Sequence, residues 1–210
     1  MTMCAKRADA VGLTRRRVLA GLGLGLLAGC APLPEGAALV PPAPSQAEQQ
    51  AQIAALTAAL RGLSPGVSPA EAARAAHVAV TQPLAWAREW QVVDPPLAHN
   101  FKVVHGIREK GVCQDWADAM EIALTAERFR TLQLHRALAN ARNIQLEHAT
   151  VIATARGQPM DQGIILDPWR IGQGRLYFGP VLQDDRYVWE AREAVRAWKR
   201  QWHAEALTPR

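Results

Sequence analysis

The first half of the chain carries apolar residues at intervals of three and four positions, the spacing that places them on one face of a helix. Ile53, Leu56 and Leu60 form one such stripe. A second helix is predicted to begin at Ser68, because a capping residue is followed there by proline and then by an acid. The spacing predicts helices over residues 48–61, 68–80, 83–90 and 113–128, with Val103, Val104 and Ile107 as buried positions ahead of the last one.

The pattern changes near residue 132 to an alternation of apolar and polar residues, which is typical of half-buried strands. Strands are predicted over residues 132–135, 147–153, 163–167 and 175–178. Residues 188–206 return to helical spacing. Helices followed by a run of strands and a final helix predict an α+β fold.

Composition limits the partners that the chain is expected to bind. Its 210 residues predict one compact domain with appendages. The formal net charge is +5, but residues 1–29 hold five of the basic side chains and a single acid. The remainder has 19 basic and 18 acidic side chains, so it lacks the positive excess that binds nucleic acid. No nucleic-acid partner is expected.

Residues 1–29 have the features of a twin-arginine export signal. Arginines at positions 15–17 precede an apolar run over 18–28, which is shorter than the roughly 20 residues that span a bilayer. The run ends in Leu27-Ala28-Gly29-Cys30, which resembles the lipobox of bacterial lipoproteins. That resemblance implies cleavage before Cys30 and attachment of lipid, such as palmitate, to this cysteine. The alternative is an ordinary signal peptide with a chance cysteine.

A lipidated Cys30 would anchor an exported protein to the cell envelope, on the periplasmic side of the inner or outer membrane. Residues 30–47 are predicted to be a tether, since their density of proline keeps a chain extended. Residues 48–98 are predicted to form a helical segment, and residues 99–210 the domain that carries the candidate chemistry. The oligomeric state is left open.

One thiol, Cys113, remains after loss of Cys4 with the signal and acylation of Cys30. It falls in the first turn of a predicted helix, where unpaired N–H groups and the helix dipole favour the thiolate. A lone cysteine on an apolar helix face is more often a core residue. His148 and Asp167, at predicted strand positions, add the base and the orienting carboxylate that acyl transfer requires.

The order of a cysteine at a helix start, a histidine on a strand and an aspartate ending the next strand resembles the transglutaminase-like fold, a relative of papain-like cysteine proteases. The matching motifs are Gly111-Val112-Cys113-Gln114-Asp115-Trp116-Ala117, Glu147-His148 and Leu166-Asp167-Pro168-Trp169. The resemblance covers about residues 100–180 and extends to an exported bacterial lipoprotein group that shares the Leu-Asp-Pro-Trp-Arg run. It implies a cysteine-bearing helix packed on a small antiparallel sheet, with extra helices at both termini.

The resemblance also implies roles for the three residues. His148 would take the thiol proton of Cys113, and Asp167 would orient the imidazole and stabilise its cation. The thiolate would then attack an amide of a protein or cell-wall peptide, followed by hydrolysis or transfer to an amine. A calcium requirement is not expected, because Val112 and Gln114 stand where calcium-dependent relatives carry acids. No other metal or cofactor is expected.

Other functions and other residues remain open at this stage. The same fold could serve as a non-catalytic module that binds a peptide or envelope protein, or as a purely structural tether. Side chains that could line a cleft, but more often serve as core or surface residues, are Trp116, Trp169, Trp189, His105 and His135. The pair Asp184-Asp185 is predicted to mark a solvated turn.

Overall fold

A computed structural model describes residues 42–142 and 147–207, with side chains to residue 202. The predicted signal, Cys30 and most of the predicted tether lie outside these residues. The described helices are α1 (Gln46–Gly62), α2 (Pro69–Glu89), α3 (Pro96–Val104), α4 (Cys113–Ala126) and α5 (Arg192–Leu207). The described strands are β1 (Leu132–Ala139), β2 (His148–Ala155), β3 (Ile164–Asp167), β4 (Tyr177–Pro180) and β5 (Trp189–Ala191). The α+β prediction is therefore confirmed.

The two helices predicted between residues 68 and 90 are one helix. Helix α2 runs through Pro83, which is buried against the rest of the protein. A Cβ added to Gly174 would lie 2.2 Å from the carbonyl oxygen of Pro83, so only glycine fits at position 174. Tertiary packing thus holds the helix together at a residue that usually ends or kinks one.

All neighbouring strands of the sheet are antiparallel, in the order β4-β3-β2-β1-β5. Every residue of β2 is buried, as expected for a central strand with both faces covered. Strand β5 lies within residues 188–206, and the prediction that these residues are all helical was wrong for it. Its three residues are too few to establish a period-two pattern, and the helical stripe of α5 follows directly.

Side chains of the central strands alternate between the two faces of the sheet, and apolar clusters lie on both faces. Val151 and Leu166 belong to the larger cluster, where they pack with residues of α1, α2 and α4. Ile152 and Ile165 point to the other face, where Trp189 is also buried. Because α1 and α2 share the larger cluster with the sheet, helical and strand segments form one core.

Helix α3 departs from the predicted pattern. Val104 is 76% exposed and Ile107 is 56% exposed, so the prediction that they are buried was wrong. The residue of α3 that is fully buried is His99. The side of this helix that faces the protein is therefore polar. In the described part of the chain, no helix is both long and apolar enough to cross a membrane.

Candidate active site

The candidate site begins at the first residue of α4, which is Cys113. Its side chain is 9% exposed, and its thiol donates to the carbonyl of Glu147 at 3.7 Å. Asp115, in the same helical turn, accepts from the backbone N–H groups of Gly111 and Val112 at 2.8 and 3.1 Å. The Asp115 carboxylate is thus held by the loop before the helix, and the start of α4 is fixed.

Gly111 allows that loop to pack against the protein. It has a φ of +123°, which side-chain-bearing residues rarely adopt. A Cβ at this position would lie 2.4 Å from Nε2 of His99, and this nitrogen bonds the carbonyl of Lys110 at 2.9 Å. The carbonyl of Gly111 accepts from the indole N–H of Trp116 at 2.9 Å. Two buried side chains therefore position the turn that leads to Cys113.

His148 and Asp167 lie side by side at one end of the sheet. His148 begins β2 and Asp167 ends β3, and the antiparallel pairing of these strands brings the two residues to the same end. Nε2 of His148 lies 2.7 Å from Oδ2 of Asp167, and both side chains are buried. A carboxylate at this distance favours the tautomer with a proton on Nε2, which leaves the lone pair on Nδ1.

Nδ1 of His148 is buried and has no hydrogen-bond partner within the described residues. The Cys113 thiol donates to the carbonyl of Glu147 and not to this nitrogen. Burial lowers the pKa of His148, but hydrogen bonds and charge from Asp167 and Cys113 outweigh it and raise the pKa to about 9. The arrangement favours a proton on the histidine when the sulfur is a thiolate.

Asp167 is fully buried and accepts four donors. Oδ2 bonds His148 and the guanidinium Nε of Arg170, the latter at 3.2 Å. Oδ1 accepts from the backbone N–H groups of Trp169 and Arg170, both at 3.1 Å. Both oxygens of this buried carboxylate are therefore hydrogen-bonded. The turn at Pro168 therefore supplies donors that hold Asp167 in position.

Arg170 links this carboxylate to a second one, Asp184. The two outer nitrogens of the guanidinium bond Asp184 at 3.1 and 2.7 Å, and the indole N–H of Trp189 donates to the same carboxylate at 2.8 Å. The Asp184 side chain is fully buried, so the prediction of a solvated turn was wrong for this residue. The sequence offered one signal for Arg170, its place in the Leu-Asp-Pro-Trp-Arg run, and none for Asp184.

Three aromatic rings surround the His148 imidazole. Trp169 and Tyr187 each lie 4.7 Å from it between ring centres, and Trp189 lies at 5.5 Å. Aromatic faces attract a cation, so this enclosure suits a protonated imidazole as well as a neutral one. Trp116 instead belongs to the core beneath Cys113, where its ring contacts Trp90.

A buried arginine, Arg136 on β1, lies next to the first turns of α4. Its Nη2 donates to the backbone and side-chain oxygens of Gln114 and to Asp118 at 2.8 Å. Burial lowers the pKa of this guanidinium, while neighbouring negative charges, including a Cys113 thiolate, oppose that effect. Arg136 was not among the predicted site residues, because the strand pattern alone does not distinguish it from a surface residue.

The remaining candidates lie away from this cluster. His105 is exposed at the end of α3, and His135 bonds the hydroxyl of Thr154 at 2.9 Å. Within the described residues, no group of three or more histidine, cysteine, aspartate or glutamate side chains is arranged to hold a metal ion. The chain matches no protein-family model, and neither curated proteins nor solved structures give a match.

Proposed function

We propose that this protein is a cysteine-dependent hydrolase or acyltransferase with a transglutaminase-like core, and that Cys113, His148 and Asp167 form its catalytic triad. The observation that carries the proposal is the pairing of His148 with Asp167 at 2.7 Å through one ring nitrogen. The other ring nitrogen is buried without a hydrogen-bond partner among the described residues. Its lone pair is thus free to take the thiol proton.

In the first step, Nδ1 of His148 accepts the proton of Cys113, and the raised pKa of the histidine retains it. The thiolate then adds to the carbonyl carbon of an amide, and the negative charge moves to the carbonyl oxygen. The backbone N–H of Cys113, at the start of α4, is one donor suited to that oxygen. Arg136 adds positive charge near the sulfur.

The intermediate collapses when the imidazolium gives its proton to the leaving amine, which leaves a thioester on Cys113. Neutral His148 next removes a proton from water as the water attacks the thioester. That attack releases a carboxylic acid and restores the thiol. An amine in place of water would give a new amide, so the same residues support hydrolysis and transfer.

The proposed substrates are amide bonds in proteins or cell-wall peptides. This class follows from the predicted export signal and from lipid attachment at Cys30, which would hold the enzyme at the cell envelope. Asp167 would keep the imidazole oriented, and Arg170 and Asp184 would keep Asp167 oriented. No step requires a metal or a cofactor.

Thiol labelling tests the proposal. Native protein should react with iodoacetamide at Cys113 at least about tenfold faster than denatured protein at pH 7, because a thiolate is the reactive species. His148→Gln should reduce that rate to the denatured level, and Cys113→Ala should abolish labelling of the peptide that contains residue 113. His77→Gln, which changes an exposed histidine on α2, is the matched control and should label normally.

If native Cys113 reacts no faster than the denatured thiol, the enzymatic proposal is wrong. The non-catalytic alternative, a lipoprotein that binds a peptide or an envelope protein, would then be favoured.

A further inference from the structure

Helix α3 presents its apolar side to the outside of the protein. Leu97, Phe101 and Val104 are 73%, 59% and 76% exposed, and their spacing places them within one narrow sector of the helix. Val93 before the helix and Ile107 after it are 60% and 56% exposed. These five residues are called the outward face of α3. They make up half of the large apolar side chains that are exposed in the described part of the chain.

The other sides of α3 make polar contacts with the rest of the protein. Asn100 accepts from the indole N–H of Trp169 at 3.1 Å, and Lys102 donates to Asp94 at 2.7 Å. His99 is fully buried and bonds the carbonyl of Lys110. An amphipathic helix normally buries its apolar side. Here three polar contacts fix the reverse orientation, so the exposure of the outward face is built into the fold.

The chain outside the structure indicates what covers this face. Ala43 and Pro44, near the described start of the chain, line one pocket together with Val93. Pro42 follows Cys30 by twelve positions, a span of at most about 40 Å when extended. The described chain therefore begins beside Val93, at one end of the outward face, and a tether of this length would keep that face within reach of a bilayer that holds the acyl chains of Cys30.

The charge of the helix fits the same surface. Helix α3 contains no acidic residue, and its one cation, Lys102, is paired with Asp94 at 2.7 Å on another side of the helix. Arg108 and Lys110 follow in the next turn, with Glu109 as the acid between them. A short apolar helix face with basic neighbours suits the boundary between headgroups and acyl chains.

We propose that the outward face of α3 docks onto the phospholipid surface to which Cys30 anchors the protein. The inference rests on lipid attachment at Cys30 and does not depend on the chemistry of Cys113. Asn100 on α3 bonds Trp169, and the Trp169 ring packs on His148. Docking through this helix would thus fix the orientation of the candidate site relative to the membrane.

Hydrogen–deuterium exchange on the full chain, reconstituted in vesicles of phosphatidylethanolamine and phosphatidylglycerol, tests this proposal. Amides of residues 96–111 should exchange at least about fivefold more slowly on vesicles than in detergent-free solution. Phe101→Asp should remove the protection and leave the amount of vesicle-bound protein unchanged, because the acyl chains still hold it. Ile122→Asp, which changes a 71% exposed residue on α4, is the matched control and should retain the protection.

Three results would overturn the proposal. The first is that residues 96–111 exchange at the same rate on vesicles as in solution, although the protein floats with the vesicles. The second is equal protection in solution, with a dimer detected by light scattering, which would assign the face to a second copy of the chain. The third is a chain that does not float with vesicles, which would refute the anchor together with the docking. Labelling of Cys113 is measured separately, so a failure of the enzymatic proposal can be distinguished from each of these three results.

Discussion

A series of alternating charges extends inward from the candidate nucleophile. His148, Asp167, Arg170 and Asp184 follow one another through hydrogen bonds of 2.7 to 3.2 Å, and the last three are almost fully buried. Removing one member of a buried pair leaves the other uncompensated, which is costly. The series therefore ties the charge state of His148 to residues that touch neither the sulfur nor a substrate.

The first prediction concerns Asp167→Asn. The variant keeps the shape of the side chain and an oxygen for the N–H groups of Trp169 and Arg170, but it loses the charge that raises the pKa of His148. We expect the pKa of His148 to fall and the labelling of Cys113 at pH 7 to slow by at least about tenfold. The measurement is the labelling rate between pH 5 and pH 10. Asp185→Asn, at an exposed position, is the control, and an unchanged profile for Asp167→Asn would contradict the prediction.

At this scale the sequence could name candidate residues but not their environment. Cys113, His148 and Asp167 are selected by residue type and by the elements that carry them, and their roles stay predictions. The prediction for Asp184 was wrong because an Asp-Asp pair in a turn gives no sign that one member is buried under Arg170. The position of Arg170 depends on contacts that residues 14 positions apart make in space.

Among the elements, the turn before α4 has the least freedom to change. Gly111 combines a φ of +123° with the close approach of His99, and the conformation sets where Cys113 begins the helix. Helix α4 itself was predictable, because its apolar stripe has a clear period. The constraint on the turn was not predictable, because it arises from His99, which lies twelve residues before Gly111 and packs against the turn.

The second prediction is that Gly111→Ala destabilises the protein by about 2–4 kcal/mol, because the new Cβ meets the His99 ring and the backbone conformation is strained. Urea unfolding monitored by circular dichroism measures the change. Gly62→Ala is the matched control, since this glycine ends α1 and a Cβ added to it would meet no atom within 4 Å. A loss of stability that is no larger at Gly111 than at Gly62 would show that the turn relaxes without cost.

For the whole molecule, the α+β class and most of the elements were predictable from periodicity, but α3 and β5 were not. The orientation of α3 was not, because the polar partners of its inner side come from Asp94, Lys110 and Trp169, which no local pattern connects. The continuity of α2 through Pro83 was missed for a related reason. Packing against Gly174 overrides the local preference of proline.

The third prediction follows from the pKa of His148, which is about 9 in the folded protein against an ordinary value of 6.5. A raised pKa means that protonation favours the folded state, so this contribution is fully present below pH 6.5 and is lost as the pH rises through 9. The free energy of unfolding should therefore fall by up to about 3 kcal/mol over that range. His148→Gln should lack this part of the pH dependence. Urea unfolding of both proteins at pH 6 and pH 10 measures it, and equal pH dependence of the two would refute the assignment.

The two edge strands of the sheet, β4 and β5, are short, and this affects how copies of the protein can associate. Strand β4 is four residues long and ends in Pro180, which lacks a backbone N–H, and strand β5 is three residues long. Such short edges offer little template for a strand from a neighbouring copy. Copies of the protein that meet at high concentration would accordingly have little edge through which to join their sheets into aggregates.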